Sequence, residues 1–369
     1  MEPLKLVVIL SYFILIVCCV KGQQPADSVR QVPSRGRKLL FFPVVARSVE
    51  TGWSFGAATA STFRLSKFDT VSRTSNLQGL ALYSLKKQLI TAINGSIYFP
   101  RETYILDHQL SYSYFPDKFW GLGPHAPDSA EEPYNFKQYY IYLHLRRKLA
   151  KNLFAGILYE QQNVLHMDYK EGGLFDREKV PGRHGYFVSG LGMSLTLDSR
   201  DNAFAPDKGV FAQLYFNHFA RYLGSQFTYT NLVVDLRKYL RVYRGQVLAM
   251  QFFNFFNFGG AVPVRSLASF GGANSMRGYY SGRYKDKQQI VFQSEYRVPV
   301  YGKFGLVIFG GVGDVAHKPM HYDLSTLKYS YGGGVRFALN KSEKLNLRLD
   351  YGITSENHHG LYFQLGEAF

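Results

Sequence analysis

Cysteine is nearly absent from this sequence of 369 residues, which contains only Cys18 and Cys19. Both lie in the first 22 residues, so the remainder of the chain has no thiol with which to form a disulfide. Small secreted domains rely on several disulfides because their hydrophobic cores are too small to hold them together. This composition argues against that class of protein, and the chain must be stabilised by other means.

Long apolar runs are also scarce. The longest, from Leu6 to Val20, covers about 15 residues and precedes the small-residue site Val20-Lys21-Gly22. A membrane-spanning helix needs roughly 20 apolar residues, so we interpret residues 1–22 as a cleaved secretory signal. The alternatives are a single membrane helix and a lipid attachment site at Cys18 or Cys19. After residue 22 no stretch is long enough for a helical span, which excludes a helical membrane protein.

Aromatic residues are abundant instead, with 28 tyrosines and 30 phenylalanines. In a secreted chain without helical spans, this composition favours a membrane β-barrel, whose strands carry apolar side chains on the outer face. A large soluble β-sandwich with a rich core is the alternative. The formal net charge is +16, with the basic residues scattered along the chain. We therefore expect anionic lipid headgroups as partners and no nucleic acid.

Apolar and polar residues alternate with a period of two in much of the sequence. In residues 345–353, LNLRLDYGI, the odd positions are apolar and the even ones are Asn, Arg, Asp and Gly. Such alternation is typical of strands with one apolar and one wet face. The segments are long enough to cross a bilayer at a tilt, so we predict that the apolar face is outside. Sixteen strands are predicted, at residues 39–47, 52–65, 74–86, 88–99, 103–115, 137–149, 153–168, 185–198, 209–222, 226–240, 246–259, 288–300, 303–315, 328–340, 345–354 and 360–369.

The predicted fold is all-β: a sixteen-stranded antiparallel transmembrane β-barrel. Sixteen is an even number, as single-chain bacterial barrels require, and long loops of such barrels face the exterior while short turns face the periplasm. The long connections are residues 116–136, 169–184, 260–287 and 316–327. We divide the chain into a signal peptide, a short polar periplasmic tail and the barrel, at residues 1–22, 23–38 and 39–369.

The longest connection, residues 260–287, contains the glycine-rich stretch GGANSMRGYYSGRY. Within it, SMRGYYSGRY resembles the arginine-glycine-aromatic loop motif of the BamA/TamA superfamily of outer-membrane assembly and translocation barrels. In that family the loop folds back into the lumen, and its arginine pairs with acidic residues on the following strands. The resemblance implies a lumenal anchor made of Arg277, Gly278, Tyr279 and Glu295. Glu295 lies in the strand FQSEYRVPV and, by alternation, on its polar face.

The sequence departs from the family at the second acidic position. The family has an acidic residue two places after a phenylalanine of the next strand, and here Gly311 occupies that place. Asp314 is three residues further on, so alternation puts it on the opposite face. We therefore expect Arg277 to pair with one carboxylate, that of Glu295, instead of two.

The resemblance extends to both ends of the chain. The segment LYFQLGEAF closes on Phe369, similar to the aromatic C-terminal signal that the assembly machinery reads. Glu367 occupies a usually apolar place, and we expect it near the membrane interface, where a carboxylate is inexpensive. Assembling and secreting members carry periplasmic POTRA repeats, each several times longer than residues 23–38. The resemblance thus implies a POTRA-less member that needs a partner protein.

The family's proposed mechanism is opening of the seam between the first and last strands, so that a client strand pairs with the exposed edge. Pro43 in the first strand cannot donate a ladder hydrogen bond, and Gly360 and Gly366 weaken the last strand. These residues mark a candidate lateral seam; the alternative is that first strands are simply short and that Pro43 sits at the periplasmic edge of its strand. The resemblance predicts an accessory factor in outer-membrane protein assembly or protein translocation in a Gram-negative bacterium. A passive pore or a structural subunit of an outer-membrane complex is the alternative.

Catalytic and metal-binding patterns are weak. The sequence has no GxSxG motif, and its histidines are scattered or lie in predicted loops. The adjacent His358 and His359 point in opposite directions on an extended chain, and no third ligand stands out. The acidic segment 125–133 fits a solvated exterior loop. We predict no enzyme activity, no cofactor and no metal site.

Overall fold

The computed structural model describes residues 38–66, 68–69, 72–202, 204–319, 321–340 and 344–369. The predicted signal peptide, residues 1–22, and the predicted tail up to residue 37 lie outside the described residues. Within the described part of the chain, no helix has the length and apolar character needed to cross a membrane.

Sixteen strands close into one antiparallel barrel in which each strand pairs with its neighbours along the wall. The wall strands are β1 Lys38–Ser48, β2 Gly52–Phe63, β3 Ser75–Ser84, β4 Leu89–Tyr98, β5 Tyr104–Phe119, β6 Glu132–Ala150, β7 Leu153–Asp168, β8 Tyr186–Asp198, β9 Gly209–Phe219, β10 Tyr229–Arg241, β11 Val247–Gly259, β14 Gln288–Tyr301, β15 Phe304–Ala316, β16 Lys328–Asn340, β17 Leu345–Thr354 and β18 His359–Leu365. Two further short strands, β12 Ala268–Phe270 and β13 Tyr284–Asp286, pair with each other within the long connection. β11 therefore pairs with β14, and β1 with β18.

The helices are short and lie in the connections. One is a single α-helical turn, α1 Leu174–Arg177. The 3-10 turns are Pro100–Glu102, Asp128–Ala130, Arg221–Leu223, Val264–Ser266 and Leu324–Thr326.

The apolar face of the strands is on the outside of the barrel. On β8, Leu191 and Met193 are 50% and 60% exposed, whereas Ser194 between Met193 and Leu195 is 8% exposed. Alternation places successive side chains on opposite faces, so the small polar residues of this strand line the lumen. The predicted sixteen-stranded barrel is confirmed, and the soluble sandwich is excluded because the sheet closes on itself.

An apolar cluster covers one end of the lumen. β5 runs on to Phe119 and β6 begins at Glu132, so this hairpin is longer than the predicted strands 103–115 and 137–149. Above the wall, Phe119 packs on Phe175 of α1 at a ring distance of 4.5 Å. The burial of these rings stabilises the part of the hairpin that extends past the predicted strands.

A charge on the outer face should destabilise the barrel more than a charge in the lumen. Met193 lies near the middle of β8 and faces outward, so Met193→Arg is expected to destabilise the fold in a bilayer by about 2–4 kcal/mol. The lumenal Asn94, which pairs with Gln78 and Gln109 of the neighbouring strands, provides the matched control Asn94→Arg. Urea titration of refolding into lipid vesicles measures both variants. Equal losses of stability would contradict the orientation of β8.

Candidate functional site

The connection 260–287 folds into the lumen and is buried there. Met276, Arg277 and Tyr279 are at most 2% exposed. Phe270, Met276, Tyr279 and Tyr284 form an apolar cluster with Val291 and Val315 of the wall. The lumenal loop, as we call residues 260–287, is therefore packed against β14 and β15 on its apolar side. Its charged side chains are stable there only if other groups inside the barrel pair with them.

Two glycines let the tip of the lumenal loop touch the wall. Gly278 has φ 114°, and a Cβ built there would lie 2.7 Å from Cγ2 of Thr354. On the facing strand β17, a Cβ on Gly352 would lie 2.4 Å from the carbonyl oxygen of Arg277. The loop backbone thus contacts the backbone of β17 directly, which side chains at either position would prevent.

Arg277 lies between two carboxylates. Its Nη2 is 2.6 Å from Oε1 of Glu295 on β14, and its Nη1 is 2.6 Å from Oδ2 of Asp350 on β17. The guanidinium carbon lies 3.5 Å from the ring centroid of Phe309. The sequence analysis predicted that Arg277 pairs with Glu295, and the two side chains form an ion pair in the structure. The expectation of a single carboxylate is wrong, because Asp350 supplies the second from a strand that the motif does not include.

Gly311 packs closely against the lumenal loop. A Cβ built on Gly311 would lie 3.1 Å from Sδ of Met276, the residue before the loop arginine. A side chain at position 311 would therefore require Met276 to shift by a few tenths of an ångström. Asp314 does not contact Arg277: its Oδ2 accepts from the Thr326 hydroxyl at 2.6 Å.

The pair of carboxylates belongs to a larger buried network. Arg336 on β16 pairs with Asp350, and Arg297 on β14 pairs with Glu295 at 2.7 Å. Arg348 lies 3.4 Å from Oδ2 of Asp350. These groups are inside the lumen, where removal of one partner leaves an uncompensated charge. We call this set the lumenal ion network: Arg277, Glu295, Arg297, Arg336, Arg348, Asp350 and Glu367.

The C-terminal residues also join this network. β18 ends at Leu365, and the chain turns at Gly366, where φ is 86°. Glu367 accepts from Nε of Arg336 at 2.8 Å and from the Asn346 amide at 2.6 Å. The predicted strand 360–369 is therefore too long. The expectation that Glu367 lies at the membrane interface is wrong, because its carboxylate is buried against Arg336.

Phe369 is turned into the barrel. It is 7% exposed and packs with Tyr239 and Ala249 of β10 and β11. Its carbonyl oxygen accepts from Nη2 of Arg297 at 3.1 Å. In the folded protein the aromatic side chain that we read as a C-terminal assembly signal is thus directed away from lipid. A signal at this position is accessible only before the barrel has folded.

The lumenal loop contacts both sides of the β1–β18 seam. The backbone N–H of Gly278 donates to the hydroxyl of Tyr362 on β18 at 2.9 Å. The backbone N–H of Ser281 donates to Oε1 of Glu50, in the turn after β1, at 2.6 Å. Sequence reasoning missed both contacts, because neither Tyr362 nor Glu50 belongs to the loop motif.

The seam itself is sparsely paired. A single registered pair, Arg47↔Phe363, joins β1 to β18, whereas every residue of β1 pairs with β2. Pro43 lies in the middle of β1, and its ring nitrogen has no hydrogen to donate. Gly360 pairs with Gly352 of β17, and Gly366 begins the inward turn. Pro43 and Gly360 therefore lie on the two strands of the most sparsely paired joint in the wall, and Gly366 lies just after β18.

Near the exterior rim, Arg283 is also buried. Its Nη2 lies 2.8 Å from Oδ1 of Asp128, and Nε2 of His358 lies 2.9 Å from Oδ2 of the same residue. Glu356 completes a group of three possible metal ligands, which sequence reasoning missed because the residues are distant in the chain. Lys328 lies 3.0 Å from Glu356. Because a cation already accompanies each carboxylate, we assign no metal here.

These features define a transmembrane β-barrel with a lumenal loop anchored by a buried arginine. The chain belongs to the Omp85 superfamily, whose domain matches residues 81–369. It is accordingly an outer-membrane barrel of a Gram-negative bacterium, and the resemblance read from the loop motif is confirmed. Among curated protein sequences, none matches the chain significantly.

Solved structures with the same fold are distant in sequence. BamA from Haemophilus ducreyi lacking POTRA domains 1–3 is 14% identical, with a TM-score of 0.59 over 89% of this chain and 70% of that one. CdiB from Acinetobacter baumannii is 11% identical, with a TM-score of 0.57, and CdiB from Escherichia coli is 10% identical, with a TM-score of 0.58. Each match covers 89% of this chain, which spans 59% and 62% of the two CdiB chains respectively.

Loss of either carboxylate at Arg277 should destabilise the barrel. Glu295→Gln or Asp350→Asn leaves buried positive charge without its partner and is expected to cost about 3–5 kcal/mol. The temperature at which the compact form is lost on a gel should fall in both variants. Glu131→Gln is the control, because this residue pairs with Lys118 with 42% of its side chain exposed. If both variants lose the compact form at the unaltered temperature and the loop resists protease equally well, Arg277 does not anchor the loop.

Proposed function

We propose that this barrel is an accessory factor that assembles or translocates polypeptides at the outer membrane by opening between β1 and β18. The observation that carries the proposal is the seam, where one registered pair joins two strands that are fully paired on their other sides. An edge strand with free N–H and C=O groups is a template for an added strand. A client strand in extended form is the chemical partner that such an edge recognises.

The lumenal loop supports a gated rather than a permanently open seam. Its contacts with Tyr362 and Glu50 join the β18 side and the β1 side through one segment of chain. Each contact is a hydrogen bond that contributes about 0.5–3 kcal/mol, the upper part of the range applying to the carboxylate. The loop therefore closes a joint that the sheet alone holds weakly, and a client that replaces these contacts would release it.

We further propose that the barrel acts with a partner protein. Outside the wall, the described residues form turns, exterior loops, the lumenal loop and the inward C-terminal turn. None of these described segments is a separate periplasmic domain that could capture a client. Several periplasmic turns are short, as between β6 and β7 or β14 and β15. Anionic lipid headgroups are the other partners that we propose, on the basis of the basic composition.

A passive pore or structural subunit is the second candidate. It is favoured by the inward C-terminal turn, which links the end of β18 to Arg336 and Arg297 on the wall. This link restrains the β18 side of the seam. If both sides were restrained, the barrel would serve as a fixed element of a larger complex.

We propose no catalytic role, although one serine–histidine contact exists. Nε2 of His144 lies 2.6 Å from Oγ of Ser194 in the lumen. Nδ1 of His144 is nearer to the Tyr142 hydroxyl, at 3.2 Å, than to Asp107, at 4.0 Å. Asp107 is itself engaged by Arg146 and Ser96. The carboxylate that would orient a general base is therefore committed elsewhere.

If β1 and β18 separate during function, a disulfide between them should abolish that function. Arg47→Cys with Phe363→Cys places thiols at the registered pair, and oxidation would join β1 to β18. In a deletion strain, the double variant should restore the normal outer-membrane protein profile under reducing conditions but not when oxidised. Leu195→Cys with Leu214→Cys, a registered pair between β8 and β9 with both side chains exposed on the outer face, is the matched control. Full restoration by the oxidised seam variant would exclude lateral opening.

Conductance separates the two candidates. With the lumenal loop anchored, purified barrel in planar bilayers should show small, flickering openings, and Arg277→Ala should enlarge them because the loop loses its charge partners. Single-channel recording of both proteins at equal salt concentration makes the comparison. A large, steady conductance in the unaltered protein would favour the passive pore.

A further inference from the structure

A cavity lies in the exterior half of the lumen, between the lumenal loop and the wall. It has a volume of about 340 Å³ and is bounded by β4, β5 and β6 on one side and by residues 264–285 on the other. This volume falls within the range of about 300–1,000 Å³ that is usual for small-molecule sites. It is separate from the lumenal ion network, and no residue of that network lines it.

An unpartnered cation lines this cavity. Lys285 is 4% exposed, and among the described residues its Nζ has neither a carboxylate nor a hydrogen-bond acceptor in contact. The ammonium lies beside Gly282, which has φ 76° and also lines the cavity. A Cβ built on Gly282 would lie 2.8 Å from Nζ, so the absence of that side chain makes room for the lysine head. A buried ammonium without a partner is unfavourable unless an anion joins it.

A second cation adjoins the cavity. Nη1 of Arg265 lies 3.1 Å from Oδ2 of Asp117, and its guanidinium carbon lies 4.1 Å from the ring centroid of Phe136. Nε of Arg265 is buried and has no partner among the described residues. Asp117 is also committed to the Tyr134 hydroxyl at 2.9 Å. The Arg265 guanidinium is thus paired with Asp117, which leaves Lys285 as the cation available to a ligand.

The remaining wall is suited to hydroxyl groups. Glu50 faces the cavity as an acceptor, and Gln109, Ser111, Ser113 and Ser269 supply side chains that both donate and accept. Phe115 and Phe136 add flat apolar surfaces. Because the carboxylates of Glu50 and Asp117 also line the cavity, a polyanion is disfavoured, although neither carboxylate forms an ion pair with Lys285 among the described contacts. A ligand with one acidic group and several hydroxyls matches this distribution.

We propose that this cavity binds an acidic sugar, with its carboxylate or phosphate on Lys285 and its hydroxyls on the serine, glutamine and Glu50 side. The cavity lies between the wall and the loop and is partly open, so the ligand is a soluble sugar acid or sugar phosphate that enters the lumen. The site shares Glu50 with the proposed seam contact to Ser281, but its test does not depend on which polypeptides the barrel handles.

Titration calorimetry of the purified barrel in detergent tests the site with glucuronate and glucose 6-phosphate as probes and glucose as the neutral control. We expect at least one acidic probe to bind at millimolar concentration or below, and glucose to bind about tenfold more weakly or not at all. Lys285→Met should weaken binding of that probe about tenfold. Lys287→Met, two residues along and with Nζ bonded to the carbonyl oxygen of Gly260 at 2.8 Å, should bind as the unaltered protein does.

Two further readouts distinguish binding from a structural role of Lys285. Because this lysine has no partner, Lys285→Met should unfold at the same or a higher temperature than the unaltered protein, and only the latter should gain stability from the probe. Burial lowers the pKa of Lys285 to about 8, with Asp117 opposing and Arg265 adding to this effect. Binding should therefore be weaker at about pH 9 than at about pH 7, because the ammonium form is lost in between.

Three results would overturn the proposal. They are no binding of either acidic probe at millimolar concentration, equal binding of glucose and the acids, and unchanged binding by a folded Lys285→Met variant.

Discussion

The charge balance around Arg277 is the constraint on which the rest of the lumen depends. A sixteen-stranded wall encloses more space than its own side chains can fill, and the lumenal loop occupies part of that space. A loop rich in backbone polar groups and arginine is stable there only if its charges are matched. Glu295 and Asp350 match Arg277 from two strands, and Phe309 covers the guanidinium. The wall and the loop are thus complementary in charge as well as in shape.

The lumenal ion network contacts some strands of the wall and not others. Its residues lie on β14, β16 and β17, and through Glu367 it includes the turn that follows β18. For β1, the side chains of residues 41–48 are described, and none of them takes part in this network. Across the seam, the β18 side is joined to the buried ion pairs through Glu367, while β1 has one registered pair with β18 and the contact of Glu50 with the loop. On its other side β1 is paired with β2 along its whole length.

Much of the fold follows from the sequence, because alternation is a local property. The period of two gave sixteen strands and the inward direction of Glu295, since both depend only on residues within one strand. Asp350 was on the polar face of its strand, but its pairing with Arg277 depends on how a loop reaches across the lumen. The C-terminal turn was missed for the opposite reason. In the sequence, alternation continues through residues 361–369, and only the burial of Glu367 and Phe369 shows that the chain leaves the sheet at Gly366.

At position 311 the chain has a glycine that packs against Met276 where the family motif has an acidic residue. The second carboxylate comes from Asp350 instead. The number of carboxylates on the loop arginine is therefore the same as in the motif that the sequence resembles, although one of them comes from another strand. A motif comparison restricted to aligned positions would count one partner and would underestimate the anchor.

The relative strengths of these contacts indicate an order of events. Removing a partner of a buried ion pair destabilises by about 3–5 kcal/mol, whereas a hydrogen bond such as that of Gly278 to Tyr362 contributes about 0.5–1.5 kcal/mol. The seam is held by contacts of the second kind, apart from the carboxylate of Glu50, and Arg277 is held by contacts of the first. The seam can therefore loosen while Arg277 remains anchored. Withdrawal of the loop from the lumen would come after seam opening. It would require a partner able to replace both carboxylates.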